Sequence, residues 1–565
     1  MKTHVKALVV GGGAVGTGIA YHLAKAGWDT MLLERDELTS GSTWHAAGLL
    51  PLFNMSYATT HIHKYSVDFY KTLEAETGLN AGFYVVGNLR MAQTDARMDE
   101  YMLYSSVAET ADVYHEFLTP KQIKERWPLV RTEDLKGALF HPQDGYINPA
   151  DVTQAMAKGA RQRGVTIERK WQVDGYKWTG SEWIVSVTKM VEQGGNLVAS
   201  DEKAEIHAEH VVTATGNHAQ RTARLLGVKT PAIPVEHQYI VTEPDPMLQE
   251  WRKNNPEHPV LRDADAKWYV REERGGWILG PYERGAPARF EYNVPESFRA
   301  DLFPLDLERI EQEYMSMIHR IPSSETVGLK DDFNGPICYT PDGNPLVGPY
   351  PGLRNMWMAE GFSFGITAAG GTARGMACDV SDEPSVAAAI AATVAAFGGL
   401  HVACNIAGIG HFSNTHEETR EWFDRIVGVN LTGSFLVAKH AIPHLLETHG
   451  VIVNTASNAG LMSQPWSAAY CASKGGVVML TKALAHEYLG KLRVNAIAPG
   501  GTKTNITASF ANLPEGASFD QMHKMMNVNG MCEPSEIAAG FAYVASDEAR
   551  FMTGAIVSID GGLTA

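Results

Sequence analysis

The sequence predicts an α/β protein with a Rossmann-like domain threaded through a mixed α+β domain, followed by a partial, doubly wound parallel-sheet Rossmann domain. Three observations predict it. A strand–glycine turn–helix–strand unit occupies residues 5–36. Residues 60–135 are rich in helical periodicity and charge, and from about 140 to 300 the pattern becomes mixed, with strand-like segments. A second nucleotide-fold pattern begins abruptly near Cys378-Asp379-Val380 and runs to the end.

The opening unit is legible residue by residue. Lys6 to Val10 is a short apolar strand, Gly11-Gly12-Gly13-Ala14-Val15-Gly16 is a turn, and a helix then runs to Ala26, where Gly27 stops it. Thr30 to Leu33 is the second strand, closed by Glu34. Gly11, Gly13 and Gly16 match G-x-G-x-x-G: Gly11 for the tight turn, Gly13 for backbone approach to a pyrophosphate, Gly16 for close helix–strand packing. The helix N-terminus presents free N–H groups and a positive dipole end to phosphates. Glu34, 18 residues after Gly16, is placed to accept hydrogen bonds from ribose hydroxyls. An incidental glycine turn is the competing reading, and the flanking strand, helix and acid weigh against it. Trp183 to Val187 and Gln238 to Thr242 read as strands, and 305–320 as an amphipathic helix.

Length and charge narrow the partners. The 565 residues exceed one hydrophobic core. The net charge of -16, from 48 Lys+Arg against 64 Asp+Glu, argues against nucleic acid or an anionic membrane surface. Cys338, Cys378, Cys404, Cys471 and Cys532 form no CxxC pair and are odd in number, so neither a disulfide framework nor a metal site is expected. No leader segment is read before the first strand, and a reducing, cytoplasmic setting is expected. Val386 to Gly410 carries no charge and has the length of a membrane span. Its Ala content, Gly398-Gly399, His401 and Asn405 instead favour a soluble helix followed by a buried strand.

Ser42-Thr43-Trp44-His45-Ala46-Ala47-Gly48-Leu49 resembles the flavin-attachment segment of the dimethylglycine and sarcosine dehydrogenase family, within the D-amino-acid-oxidase-like fold. The resemblance covers about residues 1–376. It includes Asp144-Gly-Tyr-Ile-Asn-Pro149, Pro234-Val-Glu-His-Gln-Tyr239, Gly280-Pro-Tyr-Glu283 and Gly361-Phe-Ser-Phe-Gly-Ile366; Val211 to Gly216 resembles a strand beside FAD. It implies FAD-binding parts at about 1–80, 140–225 and 325–376, and substrate-domain parts at about 81–139 and 226–324. It further implies FAD bound covalently through His45, with Ser42 and Thr43 near the pyrophosphate and flavin. Gly361, Gly365 and Ile366 would lie in a final flavin contact whose helix end stabilises the reduced ring. His237 and Tyr269 match active-site positions of the family. Arg271 and Tyr282 are weaker candidates for a substrate carboxylate, and Arg271 reads equally well as a structural ion pair. The implied reaction is oxidative N-demethylation of a small methylated glycine derivative, through an iminium, to an amine and formaldehyde. Oxygen or an electron-transfer protein would reoxidise the flavin. Long family members carry a folate-binding module, which is not recognised here, so formaldehyde release without tetrahydrofolate coupling is expected.

Residues 377–565 resemble a short-chain dehydrogenase/reductase. Tyr470-Cys-Ala-Ser-Lys474 matches Y-x-x-x-K, with Ser457 thirteen residues earlier and Asn430 in Val-Asn-Leu-Thr-Gly433. These four match the family's catalytic tetrad, in which Lys474 lowers the Tyr470 pKa, Ser457 holds the reacting oxygen and Asn430 supports a relay water. Asp379 matches an adenine contact. The family's first strand and T-G-x-x-x-G-x-G loop are absent, and the resemblance starts at the third strand. NAD(P) binding is therefore expected to be weak or absent, the tetrad a relic, and Leu400 to Cys404 an unpaired buried edge. A bifunctional FAD and NAD(P) enzyme is the alternative. A third reading makes this half an oligomerisation module that pairs through the helix after Tyr470.

Overall fold

A computed structural model describes the chain except residues 1, 56, 296–297, 342, 364–377, 505, 507–508, 511–512, 519, 522–529 and 565. Two units pack separately, Met1–Gly375 and Met376–Ala565.

The first unit is built on two eight-stranded sheets and a small three-stranded one. In the first large sheet, strand His4–Val10 runs between parallel neighbours Thr30–Leu33 and Asn196–Thr213. Ala7, Leu8 and Val9 are fully buried, as a parallel strand covered on both faces requires. Helix Ala14–Lys25 follows the glycine turn; Gly13 is its extended N-cap, and no acidic residue sits in its first turn. Gly27, at φ +79°, lets the chain leave the helix.

The second large sheet runs in the order Leu329–Tyr339, Ile233–Thr242, Gly276–Pro281, Trp268–Glu273, Val260–Asp263, Asn88–Ala92, Gly137–His141, Glu116–Leu118. Side-chain alternation gives it two faces. One carries Leu89, Met91, Leu261, Trp268, Val270, Trp277 and Leu279 into a core with Trp127 and Met317. The other carries Asn88, Arg90, Arg262, Tyr269 and Arg271. Strand Leu329–Tyr339 belongs here, although its residues fall in the interval expected for the cofactor part. Ile233–Thr242 zips to it along its length, from Ile233 opposite Tyr339 to Thr242 opposite Leu329, so the chain returns to the first sheet only at Leu346–Pro349. The amphipathic segment at 305–320 is a 3₁₀ turn, Glu308–Ile310, continued by helix Glu311–Arg320.

Among the described residues, the second unit has four parallel strands, ordered Val402–Asn405, Val451–Thr455, Arg493–Pro499 and Ile556–Ile559. One expectation needs correction, that of a buried edge at Leu400 to Cys404. Cys378-Asp379-Val380, where the second pattern begins, opens on a turn in which the Asp379 carboxylate accepts from Ser381 N at 2.9 Å and Oγ at 2.7 Å. That turn leads into helix Glu383–Phe397, capped by Asp382. Val402–Asn405 is an edge strand as expected, but it is only half-buried: Val402 and Cys404 are exposed while Ala403 and Asn405 are buried. No strand among the described residues pairs its outer side. No described helix is long and apolar enough to cross a membrane. All five cysteines are free, and the described residues contain no cluster able to hold a metal.

Asp245 ties the second sheet to its helices. Fully buried, it accepts from Met247 N at 2.8 Å, Trp277 Nε1 at 2.8 Å and Ser323 Oγ at 2.6 Å. Asp245→Ala strands these donors and removes a helix cap, so it is expected to cost about 2–4 kcal/mol, read as a lower midpoint in urea unfolding of the full-length protein.

Candidate active site

A cleft opens at the carboxyl ends of the first sheet, lined by the glycine turn, Glu34, Ser42 to Ala46, Thr215 to His218, Pro336 to Cys338 and Gly361 to Ser363. Its floor exists because three positions lack side chains. A Cβ on Gly11 would overlap Ala214 O, one on Gly16 would overlap Gly11 O, and one on Gly13 would come within 3.1 Å of Thr43 Oγ1. Thr43 Oγ1 accepts from Ala14 N at 3.2 Å, tying the expected flavin-attachment segment to the helix end. Glu34 accepts from Gly12 N at 2.7 Å and Asp36 N at 2.8 Å, and burial raises its pKa. It lines the cleft while clamping the turn. Ser42 Oγ donates to Pro336 O at 2.6 Å. Gly361 adopts φ +69° at the cleft edge, whereas Gly365 and Ile366 lie outside the described residues.

Glu360 is a contributor that sequence reasoning missed. Almost fully buried and pushed up to about 7 by burial, it accepts from Thr215 N and Gly216 N, each at 3.0 Å, and so fixes the turn after Val211–Thr213. Its only sequence signal was an acid ending an apolar segment. Arg35, Arg221 and Arg299 also line the cleft, and Arg299 forms a two-pronged pair with Asp36 at 2.7 Å.

His45 is buried on the cleft wall, edge-on to Trp44 at 5.4 Å, and its Nε2 has no hydrogen-bond partner. Gly335 makes room for it, since a Cβ there would overlap the imidazole. Gly335 lies directly opposite His237 in the second sheet, which brings the two histidines together. Burial, then the neighbouring His237, pushes His45 down to about 4; burial and Arg309 push His237 to about 4. Both rings are therefore neutral at pH 7.

His237 itself does not line the cleft; it leads into a run of aromatic rings. Tyr282 lies 5.6 Å from His237 and 5.7 Å from Tyr269. Tyr269 is buried over Gly280, where a Cβ would overlap its ring, and burial raises its hydroxyl pKa. Arg271 pairs with Glu273 at 2.7 Å and sits 4.4 Å from the Tyr146 ring, the structural member of its two readings. Arg262, not anticipated, reaches the Tyr282 hydroxyl at 3.4 Å.

In the second unit all four tetrad residues converge. Ser457 is hydrogen-bonded to the Tyr470 hydroxyl, and Lys474 Nζ lies 5.8 Å from the Tyr470 ring and donates to Thr455 O at 2.8 Å. Asn430 accepts from Ile409 N at 2.8 Å and donates to Ile409 O at 2.9 Å. Burial raises the Tyr470 pKa and pushes Lys474 down to about 8.

A glycine-cradled helix end, a buried acid at the second strand and a histidine-walled cleft against an antiparallel sheet define a dinucleotide-dependent oxidoreductase. Comparison with known proteins specifies which kind. Residues 6–378 match the FAD dependent oxidoreductase family, and the chain belongs to it. It is 36% identical to mitochondrial dimethylglycine dehydrogenase of Rattus norvegicus over 379 residues, covering 66% of this chain and 42% of that protein. It is 35% identical to 4-methylaminobutanoate oxidase (formaldehyde-forming) of Paenarthrobacter nicotinovorans over 371 residues, 64% of this chain and 42% of that one. The chain thus spans less than half the length of these relatives. Residues 365–564 match a family described as enoyl-(acyl carrier protein) reductase. They form a short-chain dehydrogenase/reductase domain, and 210 residues are 41% identical to a 2,5-dichloro-2,5-cyclohexadiene-1,4-diol dehydrogenase of Sphingobium indicum, covering 37% of this chain and 82% of that enzyme. Among solved structures, L-proline dehydrogenase from P. horikoshii shares the fold, with TM-score 0.54 and 24% identity over 66% of this chain and 91% of that one. L-amino acid deaminase from Proteus myxofaciens does so with TM-score 0.55 and 16% identity over 66% and 88%.

His45, neutral in the fold, stabilises it above the unfolded histidine pKa of ~6.5, and that contribution is lost as pH falls toward 4. His45→Asn removes this dependence. Between pH 7 and pH 4, the stability of the wild type relative to this variant is expected to fall by roughly 3 kcal/mol, read from urea midpoints of the cofactor-free full-length proteins.

Proposed function

We propose that the first unit carries out FAD-dependent oxidative N-demethylation of a small N-methylated glycine derivative of the dimethylglycine or sarcosine class, with release of formaldehyde. The observation that carries the reading is the buried, unpartnered His45 Nε2 on the cleft wall, within Trp44-His45-Ala46-Ala47-Gly48. The donor set suits FAD: a helix end free of acids, a glycine floor, and a neutral imidazole nitrogen available for a bond to the flavin methyl group. FAD, when bound, supplies the oxidant for the N-methyl carbon.

The chain's own residues position and desolvate the amine. Neutral His237 accepts a hydrogen bond from the substrate nitrogen and frees its lone pair as the proton leaves. Tyr269, whose phenol stays protonated, donates to the substrate. The buried rings of Tyr239 and Tyr269, with the half-buried ring of Tyr282 beside them, keep water from the reacting carbon. Water then adds to the iminium to give formaldehyde and the demethylated amine.

The second unit is read as a poor binder of NAD(P), because its sequence lacks the glycine loop that supplies the phosphate donors. The convergence of Asn430, Ser457, Tyr470 and Lys474 favours the alternative, a second, nicotinamide-dependent activity.

Acid precipitation of purified protein is expected to retain yellow colour in the pellet, with His45→Ala releasing it to the supernatant. Anaerobic addition of dimethylglycine or sarcosine should bleach the flavin, and His237→Ala should lower kcat/KM by about 10²–10⁴-fold. A colourless, folded protein sinks the reading. In a fluorescence titration of the full chain, NADH and NADPH are expected to give no saturable binding; tight binding supports the bifunctional alternative.

A further inference from the structure

Between strand Gly276–Pro281 and the turn Glu308–Ile310 the chain forms no helix or strand among the described residues. Irregular loops longer than about 12–15 residues are uncommon in compact domains and usually serve a function. This loop leaves the second sheet, crosses to the first and returns. Val294, Phe298, Arg299 and Asp301 line the cofactor cleft together with Glu34 and Asp36.

Both ends of the loop are fixed to the second sheet. At one end Arg289 N donates to Pro234 O at 2.7 Å and Glu236 N to Pro287 O at 3.0 Å, while Arg289 Nε donates to Glu236 Oε1 at 2.6 Å. At the other, Phe303 N donates to Asn334 O at 2.6 Å and Asn334 Nδ2 to Pro304 O at 2.8 Å. Pro234, Glu236 and Asn334 belong to the paired strands Ile233–Thr242 and Leu329–Tyr339, so the two ends share one ladder.

The crossing stretch is held in another way. Arg299 Nε and Nη2 donate to the two carboxylate oxygens of buried Asp36 at 2.7 Å each, and Nη2 also reaches Glu192 Oε1 at 3.2 Å. Arg224 donates to Tyr292 O and, at 3.2 Å, to Asn293 Oδ1. Phe290, Phe298 and Phe303 pack on one another, with ring centroids 4.9 to 5.7 Å apart, but each ring is only half-buried. Among the described residues from 290 to 301, Val294 alone is buried. A stretch with so little apolar burial opens at low free energy, and its strongest contact is the two-pronged charged pair. The Arg299 side chain is 23% exposed, so salt reaches that pair.

We infer that the crossing stretch is a strap over the cofactor cleft, clasped by Arg299 on Asp36. It swings aside about its two fixed ends to admit the dinucleotide and closes behind it. The clasp stands two residues beyond Glu34, the acid expected to meet a ribose, so the strap crosses the nucleoside end of the cleft. One open state serves entry and exit, and loosening the clasp therefore speeds both. The strap rests on the reading of the cleft as an FAD site and is independent of the amine chemistry.

The first test follows flavin fluorescence when FAD is mixed with, or released from, cofactor-free full-length His45→Ala protein, which holds the cofactor without a covalent bond. In that background Arg299→Gln is expected to raise the entry and exit rates together, each roughly 10-fold, with Arg299→Lys in between. KCl at about 0.5 M should speed exit from the parent more than from Arg299→Gln, because only the parent has a clasp to screen. Faster exit with unchanged entry makes Arg299 a plain contact and overturns the strap, as do unchanged rates in a folded Arg299→Gln. The second test needs no flavin. Tyr292 is 80% exposed, and chymotrypsin cleavage there reports the open strap. Relative to a peptide control, about 0.5 M KCl is expected to speed this cleavage in the cofactor-free parent and to add little in Arg299→Gln, which is cut roughly 10-fold faster from the start. Cleavage of the parent that is indifferent to salt overturns the strap, and this result decides alone should Arg299→Gln fail to fold. A protein whose strap opens with salt yet takes up no FAD keeps the strap and removes the flavin reading; FAD uptake past an indifferent loop does the reverse.

Discussion

Everything around the cleft depends on how closely the turn after the first strand approaches the turn after Asn196–Thr213. Gly16 rides on the carbonyl of Gly11, and Gly11 on the carbonyl of Ala214, with no space for a methyl group at either step. That approach brings the N-terminus of Ala14–Lys25 to the cleft floor. Polar bonds then lock the surroundings: Glu34 spans Gly12 and Asp36, Thr43 caps toward Ala14, and Glu360 gathers Thr215 and Gly216. Both Glu34 and Glu360 are buried and raised in pKa, so their value lies in the backbone donors they collect rather than in net charge.

A second constraint comes from the antiparallel sheet. Its two faces obey opposite rules, because alternation sends Leu89, Met91 and Leu261 into an apolar core and Arg90 and Arg262 the other way. On that polar face Arg90 and Arg262 stand in register with each other, both buried. In such surroundings hydrogen bonds and charges act with little screening, and His45 and His237 are held neutral by burial itself.

What the sequence made legible was local. The glycine spacing, the acid at position 34, the histidine of Trp44-His45-Ala46-Ala47-Gly48 and the Tyr470–Lys474 pair each sit within one short segment, and each reaches the cleft or the tetrad. What stayed hidden was pairing at long range. Gly335 matters because it faces His237, nearly a hundred residues away, and Arg262 because it faces Arg90. No periodicity reveals such register, although a lone arginine within Val260-Leu261-Arg262 was an available warning.

In the second unit the tetrad and the nucleotide-binding loop of the family rest on different parts of the chain. Asn430 is held by the Ile409 backbone, Lys474 by Thr455 O at the end of Val451–Thr455, and Tyr470 and Lys474 share helix Ala468–Glu487. Every one of these supports lies after residue 400. In this fold the phosphate donors come from a different place, the glycine loop after the first strand, and the sequence does not contain it. Tetrad geometry and nucleotide binding therefore have independent structural causes. The depressed pKa of Lys474 follows from burial alone, a property of the core it sits in. Four converging residues therefore report on the packing of this unit and not on the phosphate donors.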